Sequence, residues 1–121
     1  CFEIICTDRK KREYLRELIS KNTDGLFITS SSENFIELMD KDATKGKALK
    51  WLCKKLGISL LQTSACGNAD NDADMIDQAG LGAAVKNASK MCLDLADIIV
   101  PSNNDDGIAK LIDIILTSNN G

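Results

Sequence analysis

Apolar and polar positions change period several times along this chain, and each change marks an element. Residues 2–7, Phe2-Glu3-Ile4-Ile5-Cys6-Thr7, form a short apolar-rich run that reads as a strand. Asp8 is placed as a helix N-cap, and Tyr14, Leu15, Leu18 and Ile19 then recur on one helical face. Asn22 to Gly25 is a turn. Leu26 to Thr29 and Phe35 to Met39 read as two strands joined by the polar run Ser30 to Asn34, a hairpin signal. Strand, helix, strand, strand makes a small α+β unit that ends near Met39.

A different pattern starts at Asp42. Ala48, Leu49, Leu52, Cys53 and Leu56 form an apolar stripe, Lys47, Lys50 and Lys54 lie off it, and Gly57 is placed as a C-terminal stop. The spacing then predicts a strand over 60–66, a helix over 71–79 and a strand over 81–85. A helix over 89–96, a strand over 98–100 closed by Pro101, and a helix over 105–117 complete the chain. Ile108, Leu111, Ile112, Ile115 and Leu116 give that last helix an i, i+3, i+4, i+7, i+8 face. Helices alternating with short apolar strands imply a parallel sheet with right-handed crossovers. The expected fold class is therefore α/β: a Rossmann-like core over 42–121, preceded by the α+β unit of residues 1–41.

Composition narrows the function. A hydrophobic fraction of 44% and a single proline in 121 residues describe an ordered globular chain. A net charge of −3 and a pI near 4.9 give no general electrostatic reason to bind nucleic acid. No apolar run approaches the ~20 residues of a membrane span, and no signal-peptide pattern is present. Histidine is absent, which removes histidine general bases, Ser-His triads and histidine metal sites. Five cysteines without a CxxC pair argue against zinc and for reduced, mostly buried thiols in a cytoplasmic protein. The chain opens at Cys1 directly before a strand-like run, so a segment of a longer protein is expected.

The candidate chemistry lies in Gly67-Asn68-Ala69-Asp70-Asn71-Asp72-Ala73-Asp74-Met75. A glycine and then clustered Asn and Asp at the carboxyl end of a strand is where an open α/β sheet places its ligand chemistry. Carboxylates and amides there suit a hard cation such as Mg2+ and the phosphate it would hold. Read singly, each of Asn68, Asn71 and Asp72 is also an ordinary helix cap. Asp70 and Asp74 read as exposed acids in the first helical turn, where they favour the helix dipole.

Several motifs occur in one order: Lys45-Gly46-Lys47-Ala48-Leu49, Lys55-Leu56-Gly57-Ile58, the Gly67 to Met75 segment, Ala79-Gly80-Leu81-Gly82, Asn87-Ala88, and Ser102 to Ala109. Together they resemble the carboxy-terminal part of a Cof-type phosphatase of the haloacid dehalogenase superfamily. That family reads roughly K-G-x-A-L, K-L-G-I, G-D-x-x-N-D-x-x-M, A-G-x-G-V-A-M-x-N-A and S-N-x-x-D-G-V-A. From 45 to 109 several motifs agree in order and spacing; over 1–39 the resemblance is a fit to the end of the family's α+β cap.

The resemblance implies a Mg2+-dependent hydrolase of small phosphorylated substrates such as sugar phosphates, working through an aspartyl-phosphate. It makes Lys45 the catalytic, phosphate-binding lysine and Asn71 a phosphate-contacting amide. It assigns Asn68 and Asp72 to the metal, and it places Asn87 and Asn103 on loops that could face the substrate. Asn68 departs from the family's aspartate and brings no charge. The nucleophile and its acid-base partner belong to a D-x-D-G-T-type motif ahead of the cap. Asp8, Asp24, Asp40 and Asp42 lie in no such context, so the amino-terminal half of the site is expected from the missing part of the parent protein. A non-catalytic member that binds a phosphorylated ligand or a partner protein is the rival reading. A receiver-type flavodoxin-like module would share the alternation but leaves Lys45 with the Asn-Asp cluster unexplained. Substrate identity and oligomeric state are not legible.

Overall fold

The computed structural model describes residues 1–119; the last two residues of the expected 42–121 segment lie outside it. The first 40 residues fold as expected. Strand β1 (Phe2–Ile5) is followed by helix α1 (Arg9–Asn22), with β2 (Leu26–Thr29) and β3 (Phe35–Asp40) after it. Asp8 caps α1 by accepting from the Lys11 N–H at 3.0 Å. The three strands form an antiparallel sheet in the order β1-β3-β2. Ile36, Glu37 and Thr29 are buried on it.

The remainder runs α2 (Lys45–Leu56), β4 (Ser64–Gly67), α3 (Ala73–Gln78), β5 (Leu81–Val85), α4 (Lys90–Leu95), β6 (Ile98–Val100) and α5 (Gly107–Asn119). β4, β5 and β6 form a second, parallel sheet with β5 at its centre. Helix α2 begins at its Thr44 cap and stops where Gly57 turns left-handed at φ 68°.

Three boundaries differ from expectation. The run over 60–66 is not one strand: Leu60–Gln62 is a 3-10 turn capped by Ser59, and the strand begins at Ser64. A short apolar run fits either state, and the Ser59–Gln62 capping box decides it locally. The helix expected over 71–79 opens as a 3-10 turn, Asp70–Asp72, before α3. Similarly the last helix starts two residues late, because Asp106 is left-handed at φ 59° and breaks the turn from Asn103–Asp105.

Small residues on β5 set the layer spacing. Ala84 packs with Ala73, Ile76 and Cys92, whereas Ala83 and Val85 pack with Val100 and Leu111 on the opposite face. Gly82 sits so close to the end of α3 that a Cβ there would fall 2.2 Å from the Ile76 carbonyl oxygen. The long stripes are only partly covered: Leu111 is buried, but Ile108, Ile112 and Leu116 on the same helix are exposed, as are Leu52 and Leu56 on α2 and Tyr14 and Leu18 on α1. Among the cysteines, Cys53 and Cys92 are buried, Cys6 and Cys66 are half-buried and Cys1 is exposed, fewer buried thiols than the composition implied.

The contact at Gly82 makes a stability prediction. Gly82→Ala should lower the unfolding free energy by about 1–3 kcal/mol or more, the range for overpacking. Gly25→Ala, at φ 82° with nothing within 4 Å of the new Cβ, should cost only the left-handed backbone term of about 1–2 kcal/mol. Urea unfolding of both variants checks this, and equal, small losses would refute the tight contact.

Candidate active site

The site is assembled at the carboxyl end of β4. The chain leaves the strand through Gly67, passes Asn68 and Ala69, and enters the 3-10 turn that carries Asp72. Asp72 is a charged residue only 6% exposed. One of its carboxylate oxygens, Oδ2, accepts the N–H groups of Asn68 at 3.0 Å and Ala69 at 3.2 Å. The other, Oδ1, takes a hydrogen bond and ion pair from Lys45 Nζ. Lys45 is the first residue of α2, 27 positions away in sequence, and its side chain is 50% exposed. The arrangement thus buries the anion and leaves its cation facing solvent.

Gly67 is required by this geometry. A Cβ there would lie 2.3 Å from Asp72 Cβ. Two further bonds fix the loop: the Ser89 N–H donates to the Asn68 carbonyl at 2.8 Å, and the Cys92 thiol lies 3.0 Å from the Ala69 carbonyl.

Lys45, Asn68, Asp72 and Asn103 share the wall of one open pocket of about 340 Å³ with Cys66 and Ile108. Asn87 Nδ2 donates to Asn103 Oδ1 at 3.0 Å, so the two loop amides meet. Asn87 and Asn68 also line a second, neighbouring cleft of about 370 Å³, whose far side is Ser30 to Glu33 of the β2–β3 loop. Asn71 is half-buried in the 3-10 turn and is not among the residues lining the first pocket. Burial first, and the Asp72 charge after it, push the Cys66 thiol up, so it lines the pocket as a neutral group.

Several acids outside this cluster have structural partners. Asp8 caps α1, Asp40 accepts the Asp42 N–H at 2.8 Å, and Asp42 pairs with Lys47. Asp74, expected to be an exposed acid, is instead half-buried, and its Oδ2 accepts the Gly46 N–H at 3.0 Å. Asp70 is also half-buried. Sequence reasoning passed over Asp74 because nothing in a single chain reveals that α2 and α3 are adjacent. Gly46, second in its helix where glycine is unfavourable, was the available signal of a close approach.

Comparison with known proteins now decides the family. Residues 1–112 match the haloacid dehalogenase-like hydrolase family. The chain belongs to that family. It is 36% identical over 96 residues to the phosphatase YwpJ of Bacillus subtilis, an alignment covering 79% of this chain and 34% of the relative. It superposes on the structure of a haloacid dehalogenase-like hydrolase from B. subtilis with TM-score 0.86 and 32% identity, covering 92% of this chain and 39% of the other. It also superposes on a subclass IIB sugar phosphatase of the superfamily at TM-score 0.79 and 25% identity, over 86% of this chain and 40% of the other. The chain therefore spans between a third and two fifths of the length of these relatives.

The electrostatics of Asp72 give a pH prediction. Burial alone would raise its carboxyl, but the Lys45 hydrogen bond, the Asn68 and Ala69 N–H groups and the Lys45 charge outweigh it and hold it below the ordinary aspartate value. A lowered folded-state value contributes stability above the unfolded value and loses it as pH falls through the folded one. At pH 7, Asp72→Asn should cost about 1.5–3 kcal/mol, the range for hydrogen bonds to a charged group. The gap to wild type should close as pH drops below about 4. Urea unfolding of both proteins from pH 7 to pH 2.5 tests it; a gap that persists unchanged in acid would mean that the charge is not what matters.

Proposed function

We propose that this chain is the phosphate-holding part of a Cof-type phosphatase that hydrolyses small phosphomonoesters such as sugar phosphates. The observation that carries the reading is Lys45: an ammonium at a helix N-terminus, half exposed on a pocket wall and fixed from behind by a buried carboxylate. Such a group stabilises the charge that builds on a phosphoryl group. The neighbouring cleft, lined by Ser30 to Glu33, Asn68 and Asn87, offers hydroxyl and amide groups to a polar leaving group. The sugar phosphatase likeness favours the same substrate class. In this reading residues 1–41 are the end of a cap and 42–121 the carboxy-terminal part of the core, in a cytoplasmic protein.

The nucleophile is proposed to come from the part of the protein outside this chain. Asp8 and Asp42 are bound into helix caps and surface pairs, and among the described residues no acid but Asp72 lines the Lys45 pocket. Phosphoryl transfer would pass from substrate to that external aspartate and then to water.

Magnesium is proposed as the cofactor of the whole protein. This chain's residues do not make the site alone. Among the described residues no three Cys, Asp or Glu side chains cluster as a metal set. Both oxygens of Asp72 already accept hydrogen bonds. Asn68 would be the direct donor from this chain and Asp72 the group behind it, with the charged ligands supplied from elsewhere; a bound Mg2+ would neutralise phosphate charge.

Two measurements follow. The 121-residue chain should bind Mg2+ only in the millimolar range or weaker, roughly as expected of a site with few charges; micromolar affinity by calorimetry would overturn the donor assignment. The isolated chain should not hydrolyse p-nitrophenyl phosphate. The longer protein should do so, and there Lys45→Ala should slow the reaction by roughly 10²–10³-fold, the scale for one lost charge stabiliser. Turnover by the isolated chain that disappears on changing Asp8 or Asp42 would establish a different nucleophile, and an inactive longer protein that still binds phosphate would favour the non-catalytic reading.

A further inference from the structure

We propose that Asp74 is a positioning residue that holds the first turn of α2 in place and thereby aims Lys45 at the pocket. The first N–H groups of a helix have no partner within it. In α2 the Lys47 N–H is taken by Thr44 Oγ1 at 3.3 Å, and the Gly46 N–H by Asp74 Oδ2 at 3.0 Å. Gly46 directly follows Lys45, so the bond fixes the backbone from which the lysine extends.

The geometry around this bond is too tight for a casual contact. Gly46 is buried, and a Cβ there would lie 2.6 Å from Asp74 Oδ2 and 2.8 Å from Gln78 Nε2. Asp74 Oδ1 and Gln78 Oε1 are both buried without a hydrogen-bond partner. Leaving such atoms unsatisfied is costly, and an acid in the first turn of a helix ordinarily turns to water instead. Asp74 is retained inward because its other oxygen meets the N-terminus of α2, where negative charge is favourable.

Asp72 and Asp74 therefore act on α2 as a pair. Asp72 holds the tip of the Lys45 side chain, and Asp74 holds the base of it. A lysine whose backbone is free must lose more conformational freedom each time it meets an anion. Small misplacements at such a position have large effects on a bound phosphoryl group.

This inference rests on the phosphate-binding reading of Lys45, and the experiment separates the two. Inorganic phosphate binding to the full 121-residue chain is followed by NMR in wild type, Asp74→Ala, Lys45→Ala and the double variant, with Asp74→Asn as the conservative control. Amide exchange at Gly46 is read in the same samples. Asp74→Ala should remove protection at Gly46 and weaken phosphate binding roughly three- to thirtyfold when Lys45 is present, but less than about twofold when it is absent. Asp74→Asn keeps an acceptor oxygen and should retain both the protection and most of the affinity. Equal weakening with and without Lys45 would assign Asp74 a general structural role and overturn the proposal. So would Gly46 protection that survives Asp74→Ala. A wild-type chain that binds no phosphate rejects the functional reading of Lys45, and Gly46 exchange in Asp74→Ala then decides the anchor by itself.

Discussion

Asp72 is the constraint around which this molecule is arranged. A carboxylate so little exposed is stable only if its oxygens are paired, since an unpaired buried charge is costly. Its partners come from two directions: the ammonium of Lys45 at the head of α2, and the N–H groups of Asn68 and Ala69 in its own loop. Satisfying one side chain thus ties a helix and a loop that are distant in sequence. The glycine at 67 follows from it, because nothing larger leaves space for the Asp72 side chain.

The parallel sheet supplies the platform. Its central strand is built of Leu81-Gly82-Ala83-Ala84-Val85, four of them buried. Such small residues let helices approach from both faces, and the alternation of Ala84 against Ala83 and Val85 divides the interior into two clusters. Close approach of α3 to the sheet, limited by the Gly82 contact with Ile76, sets where Asp72 and Asp74 begin their helix. Packing and site are therefore one problem: a shift of α3 away from β5 would carry both acids away from α2.

Much of this was legible in the sequence. The order of elements, the Asp8 cap, the Gly57 stop and the convergence of Lys45, Asn68 and Asp72 follow from residue pattern and from the family resemblance. What escaped depended on non-local geometry or on turn chemistry that periodicity does not resolve. The 3-10 turn at Leu60–Gln62 has the apolar character of a strand, and its Ser59 cap alone distinguishes it. Asp74 reads as a solvent-facing acid until the neighbouring helix is placed beside it. The exposed stripes on α2 and α5 show the reverse error, since helical periodicity marks a face as apolar without saying that this chain covers it.

The division of labour at Lys45 explains how one group can be both structural and available. An ammonium carries three donors and no acceptor. Asp72 engages it from the buried side, yet half of the side chain remains open to the pocket. A phosphate entering there need not displace Asp72, because further donors remain on the same nitrogen. The buried carboxylate also limits the net positive charge of the empty site, which reduces the desolvation burden of holding a lone cation. Under the proposed phosphate-holding role, binding would then be strong where phosphoryl charge grows and modest otherwise, the differential that accelerates a reaction. Among the described residues Asp72 is the one acid that lines this pocket, so under the proposed role the chain would orient and stabilise a phosphoryl group and the bond-breaking acid would come from outside it.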